Sequence, residues 1–414
     1  MTEKLANVLL ITANVGSVFE EPDTMLTKWT TEFLQTVKQK QPQFIALHCQ
    51  EVGGKNYRTS MQHLVPFTKA LMDSEELKHY NRVRMFLDDE FEKTDTFTAL
   101  GCIYFIHESL QNIFIYDFAA CKFRFVSGKE IYTNVKLEEA STKEKIKFAP
   151  EFFPETKWSR KGFLRTRWSI NDSIFDLVNI HLFHDACNIT AAEKTPSVYS
   201  SHRRKALEFV LERFMSDKYD NVPLFIFGDF NFRLDQYGVV GSLCAKATAK
   251  YEKNQDEVVK VTYEENGSQN KTILTMEKKK FSPSNTKIYS ESRGRWLRKF
   301  DREPRYFLDR LYEYDIDFPP SYPYSEDLNK AREYMQTRCP AWCDRILMSH
   351  SAKELMYKDT LHPPQYSVMG EDTCMGDHKP LYLLFRLIGG KGVSYYVPNK
   401  HNGPAPIVFR ETSV

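Results

Sequence analysis

The stretch Val222-Pro-Leu-Phe-Ile-Phe-Gly-Asp-Phe-Asn-Phe-Arg233 decides the reading of this chain. Its first half is apolar, β-branched and aromatic, and reads as a buried strand. Gly228 stops the run. Asp229 and Asn231 follow one residue apart, so an extended backbone puts both oxygen-bearing side chains on one face. Phe230 and Phe232 alternate with them and can anchor the turn in a core. A strand that ends in a solvated Asp-x-Asn turn accounts for these residues equally well. A rigid strand end also suits a phosphate or metal site, and the neighbouring segments must separate the two.

Residues 8–14 read as an opening buried strand. Leu26, Trp29, Phe33 and Val37 follow at helical spacing, a core-facing stripe that Pro42 ends. A second strand over 44–51 closes at Gly53-Gly54. Strand, helix, strand is a βαβ pattern, and it sets Asn14 and Glu51 at the ends of neighbouring strands. Short aromatic strands around 82–87, 100–106 and 113–118 predict an antiparallel meander. Residues 163–170 and 174–182 read as a hairpin through Asn171-Asp172, delivering His181. A helix over 200–215 buries Ala206, Phe209, Val210 and Phe214. A further helix is expected over 239–249, and late strands over 343–349 and 380–387.

The 414 residues and a hydrophobic share of 42% support one large layered α/β domain over 1–388, with a charged insert at about 250–302 and a Gly/Pro-rich tail over 389–414. The insert, which carries Lys278-Lys279-Lys280, is expected to be solvated surface, partly helical. Net charge is +2, so the molecule as a whole is no polyanion binder and any anion site must be local. Eight scattered Cys without a CxxC pair read as reduced, structural thiols of a cytosolic protein. The first residues lack signal-peptide character, and no apolar run reaches a transmembrane length.

Asn14, Glu51, His181, Asp229, Asn231, Asp344, Asp377 and His378 all fall at strand ends or in adjoining turns. Singly, each has a bland explanation. Together they amount to an oxygen-ligand metal site with acid–base groups beside it. Carboxylate and amide oxygens without paired Cys or His suit Mg²⁺, and such a site suits hydrolysis of a phosphate ester.

Residues 226–233 resemble the first signature of the inositol polyphosphate 5-phosphatases. Arg338-Cys-Pro-Ala-Trp-Cys-Asp-Arg-Ile-Leu347 resembles the second, and Gly376-Asp-His-Lys-Pro380 the closing Ser-Asp-His-Lys-Pro. The match spans roughly 5–388 and is nearest the type I branch. It implies the endonuclease/exonuclease/phosphatase fold: a four-layer α/β sandwich, DNase I-like, with two packed mixed sheets flanked by helices. The resemblance assigns Glu51 and Asn14 to Mg²⁺, and gives Asp377 a metal-bound water. Asp229 would orient and deprotonate the attacking water, Asn231 would donate to the scissile phosphate, His378 would contact it with Asp344 fixing the ring, and His181 would be a second phosphate-side imidazole. Substrate contacts fall to Lys161, Arg345, Lys379 and Arg338, with Asn231 and His181. In-line attack by water is implied, without a covalent intermediate.

Two cations of the lipid-acting relatives are missing. Their Tyr-Lys-Tyr is Tyr322-Pro323-Tyr324 here, and the Lys before their Arg-x-Pro is Gln336. Arg302, Arg305 or Lys278–Lys280 are the expected replacements. The substrates implied are soluble Ins(1,4,5)P3 and Ins(1,3,4,5)P4, which links the chain to calcium signalling. Nucleic acid is not an expected ligand, since no basic excess supports a nuclease; a catalytically dead inositol-phosphate-binding module is opposed by the intact site positions. A monomer is expected. The type I branch ends in a prenylation box, whereas this chain ends Glu411-Thr-Ser-Val414 without a Cys. Either the box has been cut away or this form is soluble; the expected location is cytoplasmic, with peripheral association at the cytosolic face of the plasma membrane open to a form that carries a C-terminal lipid anchor absent from this chain.

Overall fold

The computed structural model describes residues 4–391 except 155–158, 217, 268–270 and 359, so the expectations for 392–414, including the missing prenylation box, lie outside the described residues. Strand Leu5–Asn14 runs parallel to Phe44–Gln50, with Asn14 level with Gln50. Helix Pro22–Lys40 makes the crossover, as the βαβ pattern requires. These strands lie inside a seven-stranded sheet, beside Leu381–Ile388 and Gly101–Ile106. Every residue of Phe44–Gln50 is buried, which explains its unbroken apolar character: both faces are covered.

The second large sheet is built on the predicted hairpin, Gly162–Ile170 with Ser173–His181. Leu224–Asp229 joins it in parallel and brings His181 level with Asp229. Asp344–Ser349 then adds antiparallel, with Asp229 level with Asp344. The two sheets pack face to face through Val8, Leu10, Ala46 and Tyr104 of one and Trp168, Leu177, Phe225 and Ile346 of the other. Helices cover the outer faces. Trp29, Phe33 and Val37 lie on Leu9, Ile11 and Ile45, and Ala206, Leu207 and Val210 of helix Val198–Ser216 lie on Val178, Ile180 and Ile226. Helix, sheet, sheet, helix is the expected four-layer sandwich.

Three local expectations fail. Arg82–Leu87 and Gly101–Ile106 pair antiparallel, but Ile113–Asp117 crosses to the second sheet and pairs with Gly162–Ile170, so no meander forms. The helix expected over 239–249 is Gln236–Leu243, and Ala247 already opens a strand. The insert is not partly helical in its first half. Ala247–Asn254, Glu257–Glu265, Thr272–Glu277 and Lys280–Pro283 form a separate four-stranded antiparallel sheet. Val261, Leu274, Met276 and Phe281 point inward with a period of two and share one core with Val239, Leu297 and Trp342. The intervening charged residues form the solvent face, and they hide the pattern when composition alone is read.

Gly228 lets the motif strand fit. A Cβ at this position would lie 1.9 Å from the carbonyl oxygen of Ile180 on the neighbouring strand. Gly228→Ala is expected to cost more than about 3 kcal/mol, because strand separation must change across a packed sheet. Gly241→Ala, on a helix with nothing within 4 Å of the new Cβ, is expected to be neutral or slightly stabilising. Urea midpoints of both variants check this, and equal midpoints would refute the close-approach account.

Candidate active site

Strand register levels His181, Asp229 and Asp344 at one end of the second sheet, and the packing of the first sheet against it brings Asn14 to the same end. Asp229 is their centre and is buried. Its Oδ2 accepts from Asn14 Nδ2 at 3.2 Å, lies 3.1 Å from His181 Nε2, and lies 4.0 Å from His378 Nε2. Its Oδ1 accepts the backbone N–H of Asn231 at 2.8 Å. Burial alone would raise the Asp229 pKa, but His378, His181 and Lys161 outweigh it and hold the carboxyl ionised, well below the usual carboxylate range. The two sheets are tied behind this point by Asn179. Its Oδ1 accepts from Gln50 at 2.7 Å, and its Nδ2 donates to the carbonyls of Cys49 and Gly101.

The two histidines differ in charge. Asp344 Oδ2 lies 2.9 Å from His378 Nδ1 and also accepts from Ser321 Oγ at 2.7 Å. Burial lowers the His378 pKa, yet Asp344 and Asp229 overcome it and lift the imidazole to about 9. The ring of Tyr322 packs against His378 at 4.4 Å between centroids. His181 goes the other way. Burial and the adjacent Lys161 lower its pKa, and Asp229 only partly compensates. Lys161 Nζ lies against His181 Nε2, and burial brings its own pKa down to about 8. Around neutral pH the site therefore holds a cationic His378 and an ionised Asp229, while the lowered pKa of His181 favours its neutral form.

Glu51 stands beside this group with its backbone in the left-handed region, at φ 56°. Burial opposes its ionisation, but Lys161, His181, Arg160 and His378 bring the carboxyl to about 2. No hydrogen bond reaches this carboxylate among the described residues. A Cβ added to Gly16 would lie 2.7 Å from Glu51 Oε2 and 3.3 Å from Asn14 Oδ1. Asn14 Oδ1 accepts the Gly16 N–H at 3.1 Å and keeps a second lone pair, so the two oxygens flank a position that only glycine leaves open. One ionised carboxylate and one amide oxygen form a hard donor set, which fits a divalent cation of the magnesium type. Ligand atoms of Asp229, Asp344 and His378 also lie within 4.8 Å of one another. That group is better described as a proton network, since a cationic imidazole has no lone pair for a metal.

The remaining expected residues divide. Asn231 reaches the site at φ 50°, with Nδ2 donating to the Leu182 carbonyl at 3.0 Å and Oδ1 accepting from Arg233 Nη2 at 2.7 Å. Asp377 turns to the rim, 3.2 Å from Lys55 Nζ and 2.9 Å from Ser17 Oγ. Arg345 is a correction: its buried guanidinium is consumed by Asp301 at 2.6 Å, Glu313 at 2.9 Å and the Trp342 carbonyl at 2.7 Å, so no donor faces a substrate. Lys379 is another: Nζ donates to the carbonyls of Gly370, Glu371 and Thr373 and holds that loop. Arg338 is largely structural too, donating to the carbonyls of Lys278, Thr337 and Asp185. Arg233 was missed, although it closes the opening motif. Its Nε and Nη1 are buried without a partner. Tyr322, Ser321 and Lys55 were missed because loop residues carry no periodicity.

Residues 11–384 match the model of the Endonuclease/Exonuclease/phosphatase family 2, the class to which a four-layer sandwich with this strand-end chemistry corresponds. The chain is 52% identical over 389 residues to inositol polyphosphate-5-phosphatase A of Homo sapiens, covering 93% of this chain and 94% of that protein. It is 35% identical to the probable type I inositol 1,4,5-trisphosphate 5-phosphatase of Caenorhabditis elegans, covering 92% of this chain and all of that one. The chain belongs to the inositol polyphosphate 5-phosphatases, a family of hydrolases. Among solved structures, the 5-phosphatase domain of a synaptojanin, in complex with inositol (1,4)-bisphosphate and a calcium ion, aligns with a TM-score of 0.48 at 14% identity, over 93% of this chain and 85% of that one.

The His378–Asp344 pair predicts a pH dependence with a definite sign. The folded pKa, about 9, exceeds the ordinary 6.5. Its contribution to stability is therefore full below about pH 6.5 and is lost as pH rises through about 9. Proton NMR of the His378 ring is expected to show a midpoint near 9, dropping below about 8 in Asp344→Asn, where the charged partner is gone. A native midpoint near 6.5 would overturn the charge assignment.

Proposed function

We propose that this protein removes the 5-phosphate from soluble inositol polyphosphates, Ins(1,4,5)P3 and Ins(1,3,4,5)P4, in a Mg²⁺-dependent hydrolysis, and so ends the calcium-mobilising signal they carry. The observation that carries the proposal is the charge arrangement around Asp229: an ionised carboxylate faces a cationic His378 at 4.0 Å, beside the ionised Glu51. The 52% identical human relative, named as an inositol polyphosphate 5-phosphatase, supports the same substrate class.

The chain's own groups suffice to order the reaction. Asp229 accepts a hydrogen bond from the attacking water and points its lone pair at phosphorus. Held so firmly ionised, it is a weak base, so it takes the proton late, when the new P–O bond has made the water acidic. His378 supplies positive charge to a phosphoryl oxygen, and Asp344 keeps it protonated. Lys161 adds a second cation on the His181 side. The Asn231 amide retains one N–H for the phosphate. Glu51 and Asn14 would hold the divalent cation, which supplies charge beside the phosphoryl group and the departing inositol oxygen. Cys343 takes no part: it is buried, contacts the Phe232 carbonyl, and burial pushes its thiol pKa far up.

The test is phosphate release from Ins(1,4,5)P3, from the corresponding phosphoinositide lipid in vesicles, and cleavage of plasmid DNA, each with Mg²⁺ and with EDTA. Turnover of the soluble substrate with Mg²⁺ alone is expected. Asp229→Ala and His378→Ala are each expected to lower kcat by about 10²–10⁴-fold, the scale of a removed acid–base or charge-stabilising group. Activity confined to DNA, or turnover that survives EDTA, would reject the proposal.

A further inference from the structure

Arg203 is a charge buried in a helix core. It lies on the inner face of helix Val198–Ser216 with Ala206 and Leu207, and it is fully buried. Four N–H bonds leave its guanidinium. Nε and Nη2 donate to the two oxygens of Glu303 at 2.8 and 2.6 Å. Nη1 donates to Asp185 Oδ1 at 2.6 Å and to the Phe183 carbonyl at 3.0 Å. Exchanging a buried triad of this kind for apolar groups is often neutral or stabilising, so stability alone does not account for it.

The triad reaches beyond its own charges. Glu303 Oε1 also accepts the backbone N–H of Arg233 at 3.1 Å. One carboxylate oxygen thus ties the end of the motif strand to the helix, while the other arm of Arg203 ties down residues 183–185, which follow His181. The two clamped segments meet at the site. Leu182 N–H donates to the Asp229 carbonyl at 2.9 Å, Asn231 Nδ2 donates to the Leu182 carbonyl at 3.0 Å, and Arg233 Nη2 donates to Asn231 Oδ1 at 2.7 Å. The Asn231 backbone is left-handed, at φ 50°, a conformation that persists where the surroundings hold it. The segment that carries Glu303 serves the second motif as well. Asp301 pairs with Arg345 at 2.6 Å, and the Arg298 guanidinium lies over the Trp342 ring. Residues 298–303 lie in none of the three motifs, yet they contact two of them.

We propose that Glu303, gripped by Arg203, is a positioning residue for the hydrolysis: it fixes Arg233 and Asn231 against residues 181–185, so that the Asn231 amide meets the phosphate in register with Asp229. The inference rests on the proposed reaction and adds to it a residue outside the reacting groups. Its lever is geometric. The Asn231 side chain is held by one bond to Arg233 and one to Leu182, and the Arg233 backbone is set by Glu303. A carboxylate with both oxygens on a planar guanidinium fork has a single orientation. Displacing a group of this kind by about 1 Å is enough to cost about 10²-fold in rate.

The test uses the full chain with Mg²⁺ and Ins(1,4,5)P3. Glu303→Gln keeps the volume but removes the charge and one of the two acceptor oxygens. Its kcat is expected to fall about tenfold or more, with KM within about twofold of wild type. Arg203→Met combined with Glu303→Met, which removes the clamp, should lower kcat by about 10²-fold. Leu207→Ala, a core truncation one turn along the same helix, should lower the urea midpoint yet leave kcat and KM at wild-type values. The Asn231 side-chain amide, followed by ¹⁵N NMR, should shift in Glu303→Gln and not in Leu207→Ala. Wild-type kcat in Glu303→Gln would overturn the positioning role, as would an equal loss of kcat in Leu207→Ala; if the Met pair fails to fold, Glu303→Gln decides alone. An Asn231 shift in Glu303→Gln, together with wild-type protein that releases no phosphate, would reject the proposed reaction and leave the clamp standing.

Discussion

One buried carboxylate sets the terms for the rest. Asp229 is ionised in a place where an ionised group is expensive, so its oxygens must be met by donors. Those donors come from both sheets: Asn14 from the first, His181 and the Asn231 backbone from the second. The demand fixes how the sheets stack. A slip of one residue in either strand would turn its donor to the opposite face. The Asn179 bonds to Gln50, Cys49 and Gly101 fix the same alignment a layer deeper, where no chemistry is needed.

The same carboxylate separates the two imidazoles. Both lie near Asp229, and both are buried. His378 has a second carboxylate, Asp344, which favours its charged form; His181 has Lys161 instead, which with burial favours the neutral form. Partner identity, not burial, makes the difference. Satisfaction is incomplete: His181 Nδ1 and Asp344 Oδ1 are buried without partners, as are two nitrogens of Arg233. Open hydrogen-bonding capacity of this kind belongs to a site prepared for an anion and its water rather than to a finished core.

The strands were legible because a layered core demands apolar runs, and the helix stripes because they cover one face only. Register then carried His181, Asp229 and Asp344 together at correct strand ends, and the packing of the two sheets added Asn14. The cations were not legible in the same way. Arg345 and Lys379 sit inside motifs, yet a motif also records what keeps a loop in place. Arg345 neutralises Asp301 and Glu313, and Lys379 caps the carbonyls before Gly376. Nothing local distinguishes a cation that holds backbone from one that waits for phosphate; only the partner list does. Arg233 was overlooked for the converse reason, since it follows a sharp motif and looks like its solvated end.

The insert shows how a layered domain can carry an added sheet without disturbing the groups around Asp229. Its inward side chains share a core with Trp342 and Leu381, so the sheet is anchored in the body of the domain. Its turn is held to the body of the domain through backbone carbonyls, by Arg338 and Asn188. The positions of Lys278 and Lys279 are therefore set by main-chain bonds that any side chain at the turn would preserve. The ammonium groups extend outward without structural duties of their own. Asp229 has no such freedom, because its bond from Asn14 joins the two sheets and its contacts with His181 and the Asn231 backbone hold its own strand end.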